Sequence, residues 1–286
     1  MLPQGTISPC GSSDVYYQFV SRDWFPEAWK DPTTGSTNNE RSYKKLGDIL
    51  SAARRAGRID WDRIVDRTRN VRSPTAWSSP AAIVAACASQ FSIDFWADQP
   101  YRPEVWIEKD ALVGVLEVAC AAWHCAYFSC RGYTSDSEIW SAARRLKRYA
   151  DNDQTPIVFH LGDHDPSGVD MSRDIRDRLN LFADGIAHPI EVKRIALTMA
   201  QVEEFNPPPN PAKTTDARYA EYQATYGDES WELDALNPDT ISALIATEME
   251  AIVDQERWAE AHTRRAEGRR LLGVVSRDWA ELTDGL

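Results

Sequence analysis

TPIVFHLGDHDPSG, residues 155–168, is the stretch whose reading decides the fold. Ile157 to Leu161 is a short run, apolar except for His160, and it breaks at once into Gly162, Asp163, His164 and Asp165. A run of this length between turn signals suits a strand buried on both faces. Pro166 and Gly168 shape the turn into a helix expected over about Val169–Leu181. The same rhythm recurs outward from this point. PEVWIEKD (103–110), AYFSCRGYTS (126–135) and PIEVKRIAL (189–197) are three further β-like runs. Helical stretches of crossover length lie between them, among them Asp136–Tyr149. Four short strands alternating with helices predict an α/β fold with a parallel sheet of βαβ units. The most apolar window, Ala111–Cys130, contains Glu117 and His124, so it reads as a buried helix followed by a strand and not as a membrane span.

The chain upstream has a different character. Its first ten residues read as disordered, and Asp14 can cap a helix running to about Phe25, with Val15, Tyr16, Phe19 and Val20 on one stripe. A loop spans Pro26–Asn39, and a second helix is expected from about Glu40 to Ala56, stopped by Gly57. Leu46, Ile49, Leu50 and Ala53 are expected to face its core, with Arg41, Lys44 and Arg55 on the opposite side and Lys45 at the flank. RIDWDRIVDRTRNVR, residues 58–72, suits a short strand or hairpin with basic edges that begins at Arg58. Short helices, a long loop and a basic wing together describe a winged helix, whose second helix enters the major groove of double-stranded DNA. The competing reading is an ordinary amphipathic helix with a solvated charged face.

Charge supports a local role for this segment. The chain of 286 residues carries a net charge of -12, which argues against the whole surface binding nucleic acid. Between Arg41 and Arg72, however, ten Lys and Arg stand against four acids, so that segment is +6 and the remainder -18. A hydrophobic content of 43% with 10% aromatics describes an ordered globular chain, and the length allows two modest domains. Five cysteines without a C-x-x-C pair read as buried thiols in a reducing compartment. With no basic segment followed by an apolar run at the start, the expectation is a soluble cytoplasmic protein with no membrane association.

The carboxylates carry the chemistry. Glu108 follows the run Val105-Trp106-Ile107, and Asp163 and Asp165 follow the run ending at Leu161. In a parallel α/β sheet, groups beyond the carboxyl ends of neighbouring strands converge on one crevice. Three carboxylates brought together repel unless a cation lies between them, and Mg²⁺, with Mn²⁺ as a substitute, is the hard oxygen-seeking ion such a set selects. The alternative is that these acids cap helices or stay solvated, since D-x-D alone is a weak signal.

WIEKDAL (106–112), followed by LGDHDPSG (161–168) with its first aspartate 55 positions after Glu108, resembles the Toprim domain. SSDVYYQFVSRDWF (12–25) and ERSYKKLGDILSAARRAGRIDW (40–61) resemble the winged-helix part of the DNA-cleaving subunit of topoisomerase VI and of the related meiotic double-strand-break protein. CRGYTSDSEIW (130–140) and NPPPNPAKTTDARYAEY (206–222) look like the short phage- and plasmid-borne members of this group. The resemblance implies a winged-helix domain over residues 1–75, a linker helix over 76–100, a Toprim domain over 101–238 and C-terminal helices over 239–286. It also implies a tyrosine nucleophile that forms a 5′-phosphotyrosyl link, a Mg²⁺ site on Glu108, Asp163 and Asp165, and a homodimer. Of the two tyrosines in the matching motif, Tyr17 points away from the apolar stripe and is the expected nucleophile. Glu108 has a second expected role as general acid/base in resealing. Arg41, Lys44, Lys45, Arg55 and Arg58 are the expected phosphate contacts.

The chain departs from the family pattern in lacking a basic residue just ahead of the tyrosines. It also has no G-x-x-x-x-G-K-[ST] motif, so ATP-driven strand passage would require a separate ATPase subunit. Three other readings stand beside this one. They are a hydrolytic Toprim endonuclease like the nuclease subunit of the Wadjet plasmid-defence system, a DNA-binding protein without activity, and an RNA-processing Toprim enzyme.

Overall fold

Residues 12–32, 35–64, 74, 76–186 and 189–284 are described in the structure, a computed structural model. Its centre is a sheet of β1 (Tyr101–Ile107), β2 (Ala126–Ser129), β3 (Thr155–Leu161) and β4 (Glu191–Ala196) in the order β2-β1-β3-β4, with every pair parallel. The inner strands β1 and β3 are buried along most of their length; the apolar run of β3 suits this, and in β1 the buried Glu104 is paired with Arg145.

The crossovers are α4 (Val113–Ala122), α5 (Asp136–Ala150) and α6 (Pro166–Phe182). In α5, Ser135 caps the first turn, and Ile139, Ala142, Ala143 and Leu146 form the buried stripe that a 3.6-residue period lays on one face. α5 and α6 cover Trp106 and Val158 on one side of the sheet. On the other side α4 and α9 (Pro238–Ile252) cover Val105, Ile107, Phe159 and Leu161. The chain therefore leaves β1 toward one face and β3 toward the other. The carboxyl ends of these two adjacent strands border the switch point where crevices open in such sheets.

A smaller cluster joins α1 (Ser12–Ser21) to α2 (Glu40–Arg55) through Tyr16, Phe25 and Leu46. α1 is shorter than expected because Asp23 turns left-handed at φ +49, and the amides of Asp23 and Trp24 bond back to Val20 and Phe19. The Asp14 side chain lies outside those described. α2 starts at Asn39, whose side chain accepts the Ser42 amide, and Gly57 follows its end at φ +69. Its buried stripe runs through Ser42 and Leu46, whereas Ile49, expected in the core, is 52% exposed. Arg58–Ile64 forms a turn and a short 3-10 helix at Trp61–Arg63; most of the expected hairpin, residues 65–73, lies outside the described residues.

The proline-rich segment is not all loop, since β5 (Asn210–Pro211) pairs antiparallel with β6 (Glu229–Ser230). α7 (Met199–Phe205) precedes this pair, and α8 (Tyr219–Tyr226) lies between its strands in sequence. Cys87, Cys120, Cys125 and Cys130 carry free thiols, the last three buried, and Cys10 lies outside the described residues. Among the described residues no helix is long and apolar enough to cross a membrane.

The expected linker helix α3 (Pro80–Gln90) lies along α10 (Gln255–Arg277), which is followed by α11 (Trp279–Thr283). Arg269 Nε donates to the Phe91 carbonyl at 2.8 Å and Ser276 Oγ to the Ala81 carbonyl at 3.3 Å. The pairing depends on Gly268, where an added Cβ would stand 2.2 Å from the Phe91 ring. Gly268→Ala should therefore destabilise the protein by about 1–3 kcal/mol through overpacking. Gly273→Ala, on the same helix with nothing near its Cβ position, should stabilise it by about 0.5–1 kcal/mol. Thermal melts of both variants check this, and equal shifts would show that the Phe91 contact does not matter.

Candidate active site at the switch between β1 and β3

The loop that leaves β3 is shaped from below by Arg194 of β4. Its buried guanidinium donates to the carbonyls of Gly162 (2.9 Å), Asp163 (2.6 Å), Gly168 (2.7 Å) and Leu197 (3.2 Å) and to Ser172 Oγ (3.2 Å). Two glycines let the turn close this tightly. A Cβ on Gly168 would meet the Asp163 carbonyl oxygen at 2.2 Å, and one on Gly162 would meet Glu108 Oε2 at 2.9 Å. Beside Arg194 in register lies His160, fully buried and hydrogen-bonded at Nδ1 to Ser172 Oγ (2.8 Å). Burial, reinforced by Arg194, pushes its pKa down to about 3, so it is neutral at every physiological pH.

The three expected acids lie at this loop and the adjoining end of β1, each already engaged by a protein donor. Glu108 Oε2 accepts the Asp163 amide at 2.9 Å. Asp163 Oδ1 accepts the Leu233 amide at 2.8 Å, and its Oδ2 stands 3.3 Å from Lys109 Nζ. Asp165 is the N-cap of α6, with Oδ1 accepting from the Gly168 amide (2.6 Å) and Ser167 Oγ (3.0 Å), while the exposed Lys213 stands 3.8 Å from Oδ2. The helix-capping alternative is thus realised for Asp165, in a residue that also borders the crevice. Burial and then the Asp163 charge raise the Glu108 pKa to about 7. Asp163 is also raised, first by burial, against the pull of Lys109.

Three residues not singled out in the sequence complete the site. Lys109 donates to Glu232 and lies 3.2 Å from Asp234 Oδ2 as well as 3.3 Å from Asp163. Burial alone would lower its pKa, but Asp163, Asp234 and Glu232 together raise it well above the usual lysine value. Glu232 and Asp234 arrive through an isolated antiparallel bridge in which the His164 amide donates to the Trp231 carbonyl (2.8 Å) and the Trp231 amide to the His164 carbonyl (2.9 Å). Burial raises Asp234 to about 6, opposed by Lys109. The one signal in the sequence was a second alternating pair of acids, WELDA at 231–235.

α1 packs against the turns at Asp110–Leu112 and Leu233–Ala235, which sets Tyr17 beside these charges. Tyr16 is the structural tyrosine, buried, with its hydroxyl accepting the Asn39 amide at 2.9 Å. Tyr17 is half-buried, and its pKa is pushed up to about 12 by burial and next by Asp234, with Lys109 opposing. An open crevice of about 440 Å³, lined in part by Thr37, Asn38, Asn210, Glu232 and Asp234, reaches the strap that carries these two acids. Arg41, Lys44, Arg55 and Arg58 are exposed. Lys44 pairs with Glu40 (2.6 Å), and Lys45 stands over the Trp29 ring at 5.1 Å.

Among the described residues no three His, Cys, Asp or Glu side chains are arranged as a ready metal-binding group. The donor set itself suits a hard divalent cation, being all carboxylate oxygen, partly desolvated and richer in negative than in positive charge. Comparison with protein-family models, with curated proteins and with solved structures finds no match for this chain.

The sign of the Glu108 shift gives a pH dependence. Its carboxyl binds a proton more tightly folded (about 7) than unfolded (4.5), so the stability it contributes is present below the unfolded value and lost as pH rises through about 7. In chelator, raising the pH from about 5 to about 8 should cost on the order of 2 kcal/mol through this group. Glu108→Gln, which still accepts the Asp163 amide, should flatten that slope in urea melts. An unchanged slope would show that Glu108 titrates normally.

Proposed function

We propose that this chain is a Mg²⁺-dependent DNA-cleaving enzyme of the topoisomerase VI type, with a winged-helix domain ahead of a Toprim domain and Tyr17 as nucleophile. The observation that supports this reading most is that the Tyr17 phenol feels Asp234, Lys109 and Glu232, and that the same Lys109 stands 3.3 Å from the strand-end acid Asp163, the neighbour of Glu108. The residue types and order of Tyr17, Glu108, Asp163 and Asp165 along the chain are those the sequence resemblance implies.

In this reading Glu108, Asp163 and Asp165 hold the metal, which when bound offsets the charge of the scissile phosphate. Asp234, the carboxylate that weighs most on the phenol, accepts its proton. Tyr17 Oη then bonds to phosphorus and the P–O3′ bond breaks, leaving a 5′-phosphotyrosyl end. Alternatively Glu108 stays off the metal, and its carboxyl, raised to about 7, gives a proton to the departing 3′ oxygen and takes it back when the ends are resealed. Arg41, Lys44, Lys45, Arg55 and Arg58 hold the duplex through its phosphates. Cutting both strands requires two nucleophiles, hence a homodimer acting on DNA in the cytoplasm. Strand passage would draw on a separate ATPase subunit.

One observation favours a second reading. A phenol with its pKa pushed up to about 12 is a poor nucleophile, and the same acids serve a hydrolytic endonuclease equally well. Cleavage of supercoiled plasmid in Mg²⁺ or Mn²⁺, quenched with denaturant and analysed with and without protease, separates the two. Transesterification predicts DNA that enters the gel freely only after protease, and loss of all cleavage in Tyr17→Phe. Hydrolysis predicts identical products in both halves and an active Tyr17→Phe. Asp163→Asn should abolish cleavage in either case, by about 10²-fold or more. DNA binding with no cleavage under any condition would leave a binding protein.

A further inference from the structure

We propose that Lys109 is an internal counter-cation for the acid site, a positioning residue that holds Asp163 in the metal-free protein and releases it when a divalent ion binds. The inference rests on the metal site proposed above. Its basis is geometric. Lys109 follows Glu108 directly, at the carboxyl end of β1, and its ammonium reaches three carboxylates from two segments. Asp163 Oδ2 (3.3 Å) comes from the loop after β3, while Glu232 and Asp234 Oδ2 (3.2 Å) come from the strap bridged to His164.

These contacts give Lys109 a double effect. Without it, Asp163, Glu232 and Asp234 would face one another with no cation among them, in a region where Asp163 and Asp234 are buried. With it, Asp163 is oriented at both oxygens, by Lys109 at Oδ2 and by the Leu233 amide at Oδ1. A divalent ion that takes Asp163 as a ligand must displace the ammonium from Oδ2. Lys109 can then remain on Glu232 and Asp234, so the exchange keeps the strap in place while freeing one carboxylate. Two positive groups compete for Asp163, and the arrangement trades metal affinity for a folded apo site.

The test uses the full chain, stripped with chelator and titrated with Mn²⁺, free ion being read by electron paramagnetic resonance. Lys109→Met and Lys109→Gln should each bind Mn²⁺ at least about tenfold more tightly than the parent, because a competing charge within contact distance has been removed. Both should melt lower without metal and recover more of that loss in saturating Mg²⁺ than the parent gains. Equal or weaker Mn²⁺ binding in both variants would overturn the proposal and leave Lys109 a plain structural anchor.

A measurement on the unaltered protein covers the case in which the variants do not fold. Acylation of Lys109 by an amine reagent, followed by mass spectrometry, should quicken several-fold in saturating Mg²⁺ and should not respond to Mg²⁺ in Asp163→Asn. Unchanged labelling in a protein that binds Mn²⁺ would overturn the proposal. Failure of the underlying reading looks different, because the parent and Asp163→Asn would then bind Mn²⁺ equally poorly, and the role of Lys109 would fall with it.

Discussion

The loop that carries the acids exists because one buried guanidinium accepts the task that water would otherwise perform. A turn that runs from Gly162 to Gly168 within the fold brings several backbone carbonyls close together, where each gains from a donor. Arg194 pairs four backbone carbonyls at once, and the planar fork of donors suits a cluster of oxygens that a lysine could not span. Burial pulls its pKa down, while the charges of Glu108, Asp163 and Asp165 pull it back up. The residue that supports the loop is therefore also stabilised by the side chains that the loop displays. Removing those acids would weaken the support beneath them, and removing Arg194 would release both the turn and the start of α6.

The fold was legible to the extent that it is made of local patterns. Four apolar runs of strand length separated by amphipathic helices describe a parallel sheet, because inner strands buried on both faces leave little choice of residue. The stop of α2 at Gly57 was equally local, a matter of one backbone conformation, whereas α6 starts at Pro166, ahead of the expected Val169, because Asp165 caps it and Pro166 fits its first turn. Glu108, Asp163 and Asp165 followed from the strands, since topology alone brings the ends of β1 and β3 together.

Glu232 and Asp234 could not be found that way. They reach the site through a two-residue bridge between His164 and Trp231, a pairing that leaves no periodic trace in sequence. Ile49 misled because its position in the repeat of α2 is apolar while the small cluster around Tyr16, Phe25 and Leu46 is too narrow to cover it. Tyr17 lay off the apolar stripe of α1 as read from its spacing. What its other face meets, a cluster of charge on a distant segment, is tertiary information that the helix does not encode.

That meeting has an electrostatic consequence. Three carboxylates, Asp163, Glu232 and Asp234, gather around Lys109, while Glu108 accepts the Asp163 amide above Arg194 and Asp165 stands near Lys213 at the rim. Burial first, and then the neighbouring carboxylates, raise Glu108, Asp163 and Asp234, and the Tyr17 phenol is likewise held in its protonated form by burial and by Asp234. Shifts of this kind concentrate at functional sites because a fold selected for stability alone would disperse such charges. Ionisation of the Tyr17 phenol is opposed by burial, Asp234 and Glu232 and favoured by Lys109, so the charge balance around Lys109 is felt at the phenol as well as at Asp163.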